Sequence, residues 1–165
     1  SHCSDRREGG LDNETGYVVA PGEGRSIDLG NFAMTVKGDD ASTGGLFTLL
    51  EADEPPNFGP PMHIHHGIAE AFYVLDGEYI IFIEEEEVRC PAGSFIFIPA
   101  DVPHGFRVGD VQSKKLNLYL PASMVGYFDD LSDAIRRGEA DPAVLDDIAT
   151  RYAVEVIGPV PEGYL

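Results

Sequence analysis

The middle of this 165-residue chain is a series of short runs rich in β-branched and aromatic residues. Gly, Pro, Asp and Asn separate the runs, which read GYVVA, FAMTVKG, LFTLLEA, EAFYVL, EYIIFI, SFIFIPA, HGFRVG and KLNLYLP. Short strands at regular spacing are typical of antiparallel sandwiches and barrels. The 19 Gly and 12 Pro also fit a turn-rich β protein better than a helical bundle. We therefore predict an all-β fold between about residues 15 and 121.

Two turns in this region have recognisable sequences. Asp76-Gly77 lies between EAFYVL and EYIIFI and predicts a two-residue hairpin. The acidic run at residues 84–87 falls where the next turn is expected. Such a run is typical of a solvated loop or an edge strand, and we assign it no other role.

The pattern beyond residue 121 predicts helices. The first helix would carry an apolar face formed by residues four, three and four positions apart: Met124, Phe128, Leu131 and Ile135. Ser123 is a candidate N-cap for it, and Asp141-Pro142 predicts the start of a second helix. We expect a flexible polar tail at residues 1–14, a barrel at 15–121, and a helical extension at 122–165 that packs on the barrel.

Charge and cysteine content exclude some classes of function. The net charge is −18, from 11 Lys and Arg against 29 Asp and Glu, and such a surface repels phosphate backbones and anionic lipid heads. We therefore expect no nucleic-acid partner and no membrane partner. No apolar run has the length of a membrane span, and no signal-peptide pattern is present. Cys3 and Cys90 could form one disulfide, but a reduced cytoplasmic protein is the simpler interpretation.

The sequence MHIHH, residues 62–66, holds three of the five histidines. On a strand, His63 and His65 share one face and His66 points the other way, so we interpret His66 as exposed or as a neighbour of the site. Glu70 would face away from His65 on a continuous strand. The three side chains can converge only if the chain bends near His66-Gly67, and Gly67 permits such a bend.

A fourth candidate ligand follows the run SFIFIPADVP. His104 comes after a strand and a Pro-bounded turn, so a separate strand would deliver it. Three neutral imidazoles and one carboxylate suit a divalent first-row ion and leave it positively charged, with open coordination positions. The sequence does not choose among Fe, Mn, Ni, Co, Cu and Zn. The alternative is that these histidines are ordinary hydrogen-bonded residues of the barrel or its surface.

Two motifs here resemble those of the cupin superfamily. The first motif, His-x-His, three or four residues, Glu, six residues and Gly, is matched by His63, His65, Glu70 and Gly77. The second motif is matched at its spacing by Gly93, Pro99 and His104. Asp101 stands where the second motif usually has Gly, and Val108 where it has Asn, which puts turn geometry and pocket shape in question more than the metal. Gly59 also lies nearer to His63 than the leading glycine of the first motif.

The resemblance covers roughly residues 45–121. It implies an antiparallel jelly-roll barrel that binds one divalent transition metal ion through His63, His65, Glu70 and His104. Small cupins often dimerise through strands near the N-terminus, so it also implies a homodimer.

The stretch GPPMHIHHGIAEAFYVLDGEY, followed by PAGSFIFIPADVPHGF, most resembles single-domain cupins of the quercetin 2,3-dioxygenase type. The helical extension from Pro121 also resembles that group. In it, the metal binds a flavonol or similar enolate, the carboxylate ligand takes the hydroxyl proton, and dioxygen attacks the ring with release of carbon monoxide. The resemblance thus implies that Glu70 is both a ligand and the general base.

Other functions stay open at this point. Phe72 and Val74 share the parity of Glu70 and are candidates for the lining of a substrate pocket, although ordinary core positions fit them equally well. The alternatives to a dioxygenase are a metal-dependent isomerase, cyclase or lyase of small-molecule biosynthesis, and a non-catalytic small-molecule-binding cupin. No helix-turn-helix segment is visible, which counts against a DNA-binding regulator.

Overall fold

The computed structural model describes residues 13–160, which form eleven strands and three helices. The strands are β1 (Arg25–Asp28), β2 (Ala33–Gly38), β3 (Thr48–Glu54), β4 (Met62–His65), β5 (Ala69–Asp76), β6 (Glu78–Ile83), β7 (Glu86–Pro91), β8 (Phe95–Ile98), β9 (His104–Val108), β10 (Ser113–Leu120) and β11 (Val154–Gly158). The helices are α1 (Asp40–Thr43), α2 (Val125–Arg136) and α3 (Pro142–Arg151).

The strands form two antiparallel sheets. The larger has the order β1-β2-β3-β10-β5-β8, and the smaller has the order β11-β4-β9-β6-β7. Alternate residues of the central strands are buried between the sheets, as the period-2 pattern requires. The predicted all-β jelly-roll class with a helical C-terminal extension is confirmed. In the described residues, no strand ladder joins the two sheets into a closed barrel.

The predicted Asp76-Gly77 hairpin is wrong. Gly77 adopts a φ of +74°, so the chain does turn there, but β5 pairs with β10 and β8 whereas β6 pairs with β9 and β7. The turn therefore carries the chain from one sheet to the other. It also passes tightly against β10: a Cβ on Gly77 would lie 2.1 Å from Ser113 Oγ. The acidic run lies at the exposed turn and start of β7, an edge strand, as predicted.

The C-terminal helices begin close to where the sequence places them. Asp141 caps α3 by accepting a hydrogen bond from the backbone N–H of Val144, as predicted. Ser123 does not cap α2, whose N-cap is Met124 without a side-chain hydrogen bond. Helix α2 packs beside β1, and α3 leads into β11.

Strand β11 was not predicted. It pairs with β4, so the C-terminal segment adds a strand beside His63 and His65. The division into residues 1–14, 15–121 and 122–165 stays a prediction, and positions 1–12 and 161–165 lie outside the described residues.

Two apolar clusters form the main core. One joins strands β1 to β3 to the C-terminal helices, and the other fills the space between the sheets around Phe72, Tyr79 and Phe106. Cys90 is buried in the second cluster as a free thiol, and Cys3 lies outside the described residues. Among residues 13–160, no helix has the length and apolar composition needed to cross a membrane.

Candidate metal centre

Two paired strands of the smaller sheet and one strand of the larger sheet bring the four predicted ligands together. His63 on β4 pairs directly with His104 on β9, and His65 follows two residues later on the same face of β4. Glu70 is the second residue of β5. One potential ligand atom from each of the four residues lies within 4.8 Å of all the others.

The bend predicted at Gly67 is present and has a specific partner. Gly67 has a φ of +76°, and its backbone N–H donates to Asp101 Oδ1 at 3.1 Å. Asp101 has a φ of +70°, in the left-handed region that Asp tolerates better than most residues. The backbone N–H of Asp101 donates to the carbonyl of His65 at 3.1 Å. Asp101 therefore adopts the conformation expected of the glycine it replaces and links the two loops with its side chain.

The distances within the cluster suit a metal ion. Ligands at right angles around one ion, each about 2.1 Å from it, lie about 3.0 Å apart. His65 Nε2 and His104 Nε2 lie 3.1 and 2.8 Å from Glu70 Oε2. Ligands on opposite sides of the ion lie about 4.2 Å apart, so the 4.8 Å limit requires a contraction of only a few tenths of an ångström per ligand.

Backbone carbonyls fix two of the imidazole rings. His63 Nδ1 lies 2.8 Å from the carbonyl oxygen of Pro61, and His104 Nδ1 lies 2.9 Å from that of Val102. A carbonyl only accepts, so each Nδ1 carries the proton, and Nε2 is the nitrogen available to a metal. The buried His65 Nδ1 has no hydrogen-bond partner among the described residues.

Glu70 is buried and ionised in this arrangement. Burial opposes its charge, but the contacts with His104 and His65 outweigh burial and hold the pKa of Glu70 well below its usual range. Burial and the neighbouring His104 lower the pKa of His63 to about 4. Burial opposes the charge of His104, but the Glu70 carboxylate outweighs burial and raises the pKa of that imidazole. A neutral imidazole and an ionised carboxylate are the forms that coordinate a metal, so metal binding would release the His104 proton. These residues, His63, His65, Glu70 and His104, could therefore hold a divalent ion.

Tyr119 is a neighbour of the site that sequence reasoning missed. It lies on β10 opposite Glu70, it is buried, and its hydroxyl contacts the Glu70 carboxylate. Burial and this carboxylate together raise the pKa of Tyr119 well above its usual range, so the phenol keeps its proton. The alternation in KLNLYL could have indicated an inward tyrosine, but not its contact with Glu70.

Phe72 and Val74 face inward, as their parity predicts, and both are buried in the apolar cluster between the sheets. Beside them lies a second polar cluster, which was also missed. Lys115 Nζ lies 2.9 Å from Glu54 Oε1 and donates to Asn117 Oδ1 at 2.8 Å, while the Tyr79 hydroxyl donates to Glu54. The Lys115 ammonium also lies 4.7 Å from the centre of the Phe72 ring.

His66 points away from the cluster, as its position in the strand predicts. Its exposed ring contacts Asp101 and Glu155 at 3.2 and 2.7 Å. It thus ties the β8–β9 turn to β11 and offers nothing to the four-residue site.

The part of the chain that carries these four residues also matches known proteins. Residues 51–115 match the family described as Cupin domain. The chain is 25% identical over 122 residues to a quercetin 2,3-dioxygenase of Bacillus subtilis, a match that covers 74% of this chain and 36% of that protein. The chain therefore spans about a third of the length of that relative.

Solved structures share the fold. The structure of KdgF from Halomonas sp. aligns with a TM-score of 0.59 at 16% identity and covers 66% of this chain and 96% of that one. An RmlC-like cupin from Shewanella frigidimarina aligns with a TM-score of 0.57 at 17% identity, over 66% and 94% of the two chains. Residues 51–115 thus match a cupin domain, and they lie within a fold that these solved structures share.

Proposed function

We propose that this protein is a metal-dependent cupin dioxygenase that acts on a flavonol-like or other enol or phenol small molecule. The observation that carries the proposal is the convergence of His63, His65, Glu70 and His104 within 4.8 Å. The similarity to a quercetin 2,3-dioxygenase over 74% of the chain supports the choice of reaction.

A divalent ion bound by three imidazoles and one carboxylate keeps a positive charge that favours a substrate oxygen as the anion. Glu70 is the group that accepts the proton. Its Oε2 faces both His65 and His104, and the carboxylate would take the proton from the substrate hydroxyl. The Tyr119 hydroxyl faces the same carboxylate from β10.

Phe72 and Val74 remain our candidates for the wall of the substrate pocket. Both face inward on the strand that carries Glu70. A flat aromatic substrate with its oxygen near Glu70 would pack best against an aromatic ring such as that of Phe72. We further propose a reduced, cytoplasmic homodimer, in line with the free thiol of Cys90.

The test replaces Glu70 with Gln and follows oxygen uptake with a panel of flavonols. The Glu70→Gln variant should keep much of its metal, because three imidazoles remain, but turnover should be abolished. Bound flavonol should stay protonated, which appears as a missing red shift in its absorption. Glu87→Gln, on the exposed edge strand β7, is the matched control and should behave like the parent.

Two results would contradict the proposal. Turnover of Glu70→Gln near the parent rate would make Glu70 only a ligand. If no flavonol or related enol consumes oxygen with the metal-loaded protein, the dioxygenase proposal fails. A metal-dependent isomerase, cyclase or lyase, or a non-catalytic binding protein, would then take its place, since none of these consumes oxygen.

A further inference from the structure

One region on the outer face of the larger sheet is apolar and uncovered. Tyr73 on β5 pairs directly with Phe95 on β8, and Phe97 lies two residues further along β8. Their side chains point away from the core, with relative exposures of 45%, 67% and 54%. Leu75 continues this surface at the end of β5, and we name these four residues the β5–β8 face.

The smaller sheet shows what a covered outer face looks like in this protein. Ile80 and Phe82 point outward from β6, yet both are buried because Val160 and Met62 pack on them. Helices α2 and α3 pack mainly on each other, on β1 and β11, and on the inward-facing cluster around Tyr119. Among residues 13–160, therefore, neither of these helices packs on the β5–β8 face.

The surroundings of this face resemble the rim of an interface. Leu116 and Leu118 on β10 extend the apolar surface and are half-buried. Beyond them, Glu51 on β3 pairs with Lys114 and Lys37. An apolar centre beside charged pairs is the usual anatomy of a protein–protein contact.

The size also suits an interface. Three aromatic side chains at these exposures, together with Leu75, present roughly 400 Å² of surface. This is about half of the roughly 800 Å² that each partner buries in a standard interface, and the flanking leucines and charged residues would supply the rest.

Strand β8 is in addition the edge of its sheet: in the described part of the chain it pairs only with β5. The apolar face therefore reaches the rim of the sheet, where no further strand of the described residues blocks the approach of a second copy about a two-fold axis.

We infer that the β5–β8 face packs against the same face of a second copy of this chain. This rests on the proposed homodimer and specifies its surface, which differs from the N-terminal strands that the family resemblance implies. Two chains with a net charge of −18 each repel each other, and the four residues of this face add no charge to that repulsion.

The test is sedimentation velocity over a range of concentrations with the full chain. Phe97→Lys should raise the dimer dissociation constant at least tenfold, although the added positive charge lowers the overall repulsion. Leu46→Lys places the same charge on an exposed loop residue outside the face and should leave the constant unchanged. Circular dichroism checks that each variant is folded.

A second measurement needs no variant. Hydrogen exchange of residues 95–98 in the parent chain should slow as protein concentration rises. A dimer that Phe97→Lys does not weaken overturns the proposed surface but leaves the homodimer standing. A parent chain that is monomeric at all concentrations overturns both. The same holds if Phe97→Lys is unfolded, no dimer of the parent sediments, and exchange in β8 does not depend on protein concentration.

Discussion

Two buried carboxylates lie on the inward faces of the larger sheet, and they differ in the source of their positive charge. Glu54 faces the ammonium of Lys115 at 2.9 Å, and both residues are at most 1% exposed. Glu70 faces no lysine or arginine but two imidazoles, whose charge depends on protonation. A buried carboxylate without a cation is costly. The Glu54 cluster is therefore complete within the chain, whereas the Glu70 cluster is built to accept a cation from outside it.

Strand β10 serves both clusters. Tyr119 contacts Glu70, while Lys115, four residues earlier and on the same face, contacts Glu54. Aromatic rings separate the clusters: the Lys115 ammonium lies 4.2 Å from the centre of the Phe106 ring and 4.7 Å from that of Phe72. We therefore expect the Glu54 cluster to govern stability and the Glu70 cluster to govern metal binding.

The largest expected effect is a loss of stability when the Glu54 cluster loses its own cation, Lys115. Lys115→Met leaves Glu54 buried without a cation and should lower the free energy of unfolding by about 3–5 kcal/mol, measured in urea. Lys114→Met is the matched control, because Lys114 is the neighbouring residue on the opposite face and forms only a partly exposed ion pair. Lys114→Met should lower the free energy of unfolding by less than about 1 kcal/mol.

A double variant sharpens this comparison. Glu54→Gln removes the uncompensated charge that Lys115→Met creates, so the pair should recover most of the lost stability. If Lys114→Met and Lys115→Met lowered the free energy of unfolding by the same small amount, that result would contradict the distinction between the two clusters.

A smaller effect is expected at the metal-site end of β10. Tyr119→Phe removes the hydroxyl that faces the Glu70 carboxylate. It should lower the free energy of unfolding by about 0.5–1.5 kcal/mol, the usual contribution of one hydrogen bond. Metal content should stay near that of the parent, because no ligand atom is lost. Loss of the metal from Tyr119→Phe would mean that the phenol itself takes part in binding.

The sequence predicted the Glu70 cluster better than the Glu54 cluster, for physical reasons. His63, His65 and Glu70 lie within eight residues, so local strand parity and one glycine turn decide their convergence. Lys115 and Glu54 lie on different strands, and a lysine in a strand usually indicates a solvated position. The Asp76-Gly77 pattern correctly predicted a turn, but turn chemistry does not determine which strands pair across it. Asp101 departs from the cupin motif, yet its backbone takes the left-handed conformation that a glycine would.

The most direct test of the central claim is the metal content of protein purified without chelator, compared between His104→Ala and His66→Ala. His104 Nε2 lies 2.8 Å from Glu70 Oε2 within the four-residue site, whereas His66 points outward to Asp101 and Glu155. We predict that His104→Ala loses most of its metal and His66→Ala retains it. Added metal at 100 times its dissociation constant should then stabilise the parent and His66→Ala by about 2.7 kcal/mol, and His104→Ala by much less. Equal metal loss from the two variants would contradict the assignment of His63, His65, Glu70 and His104 as the ligands.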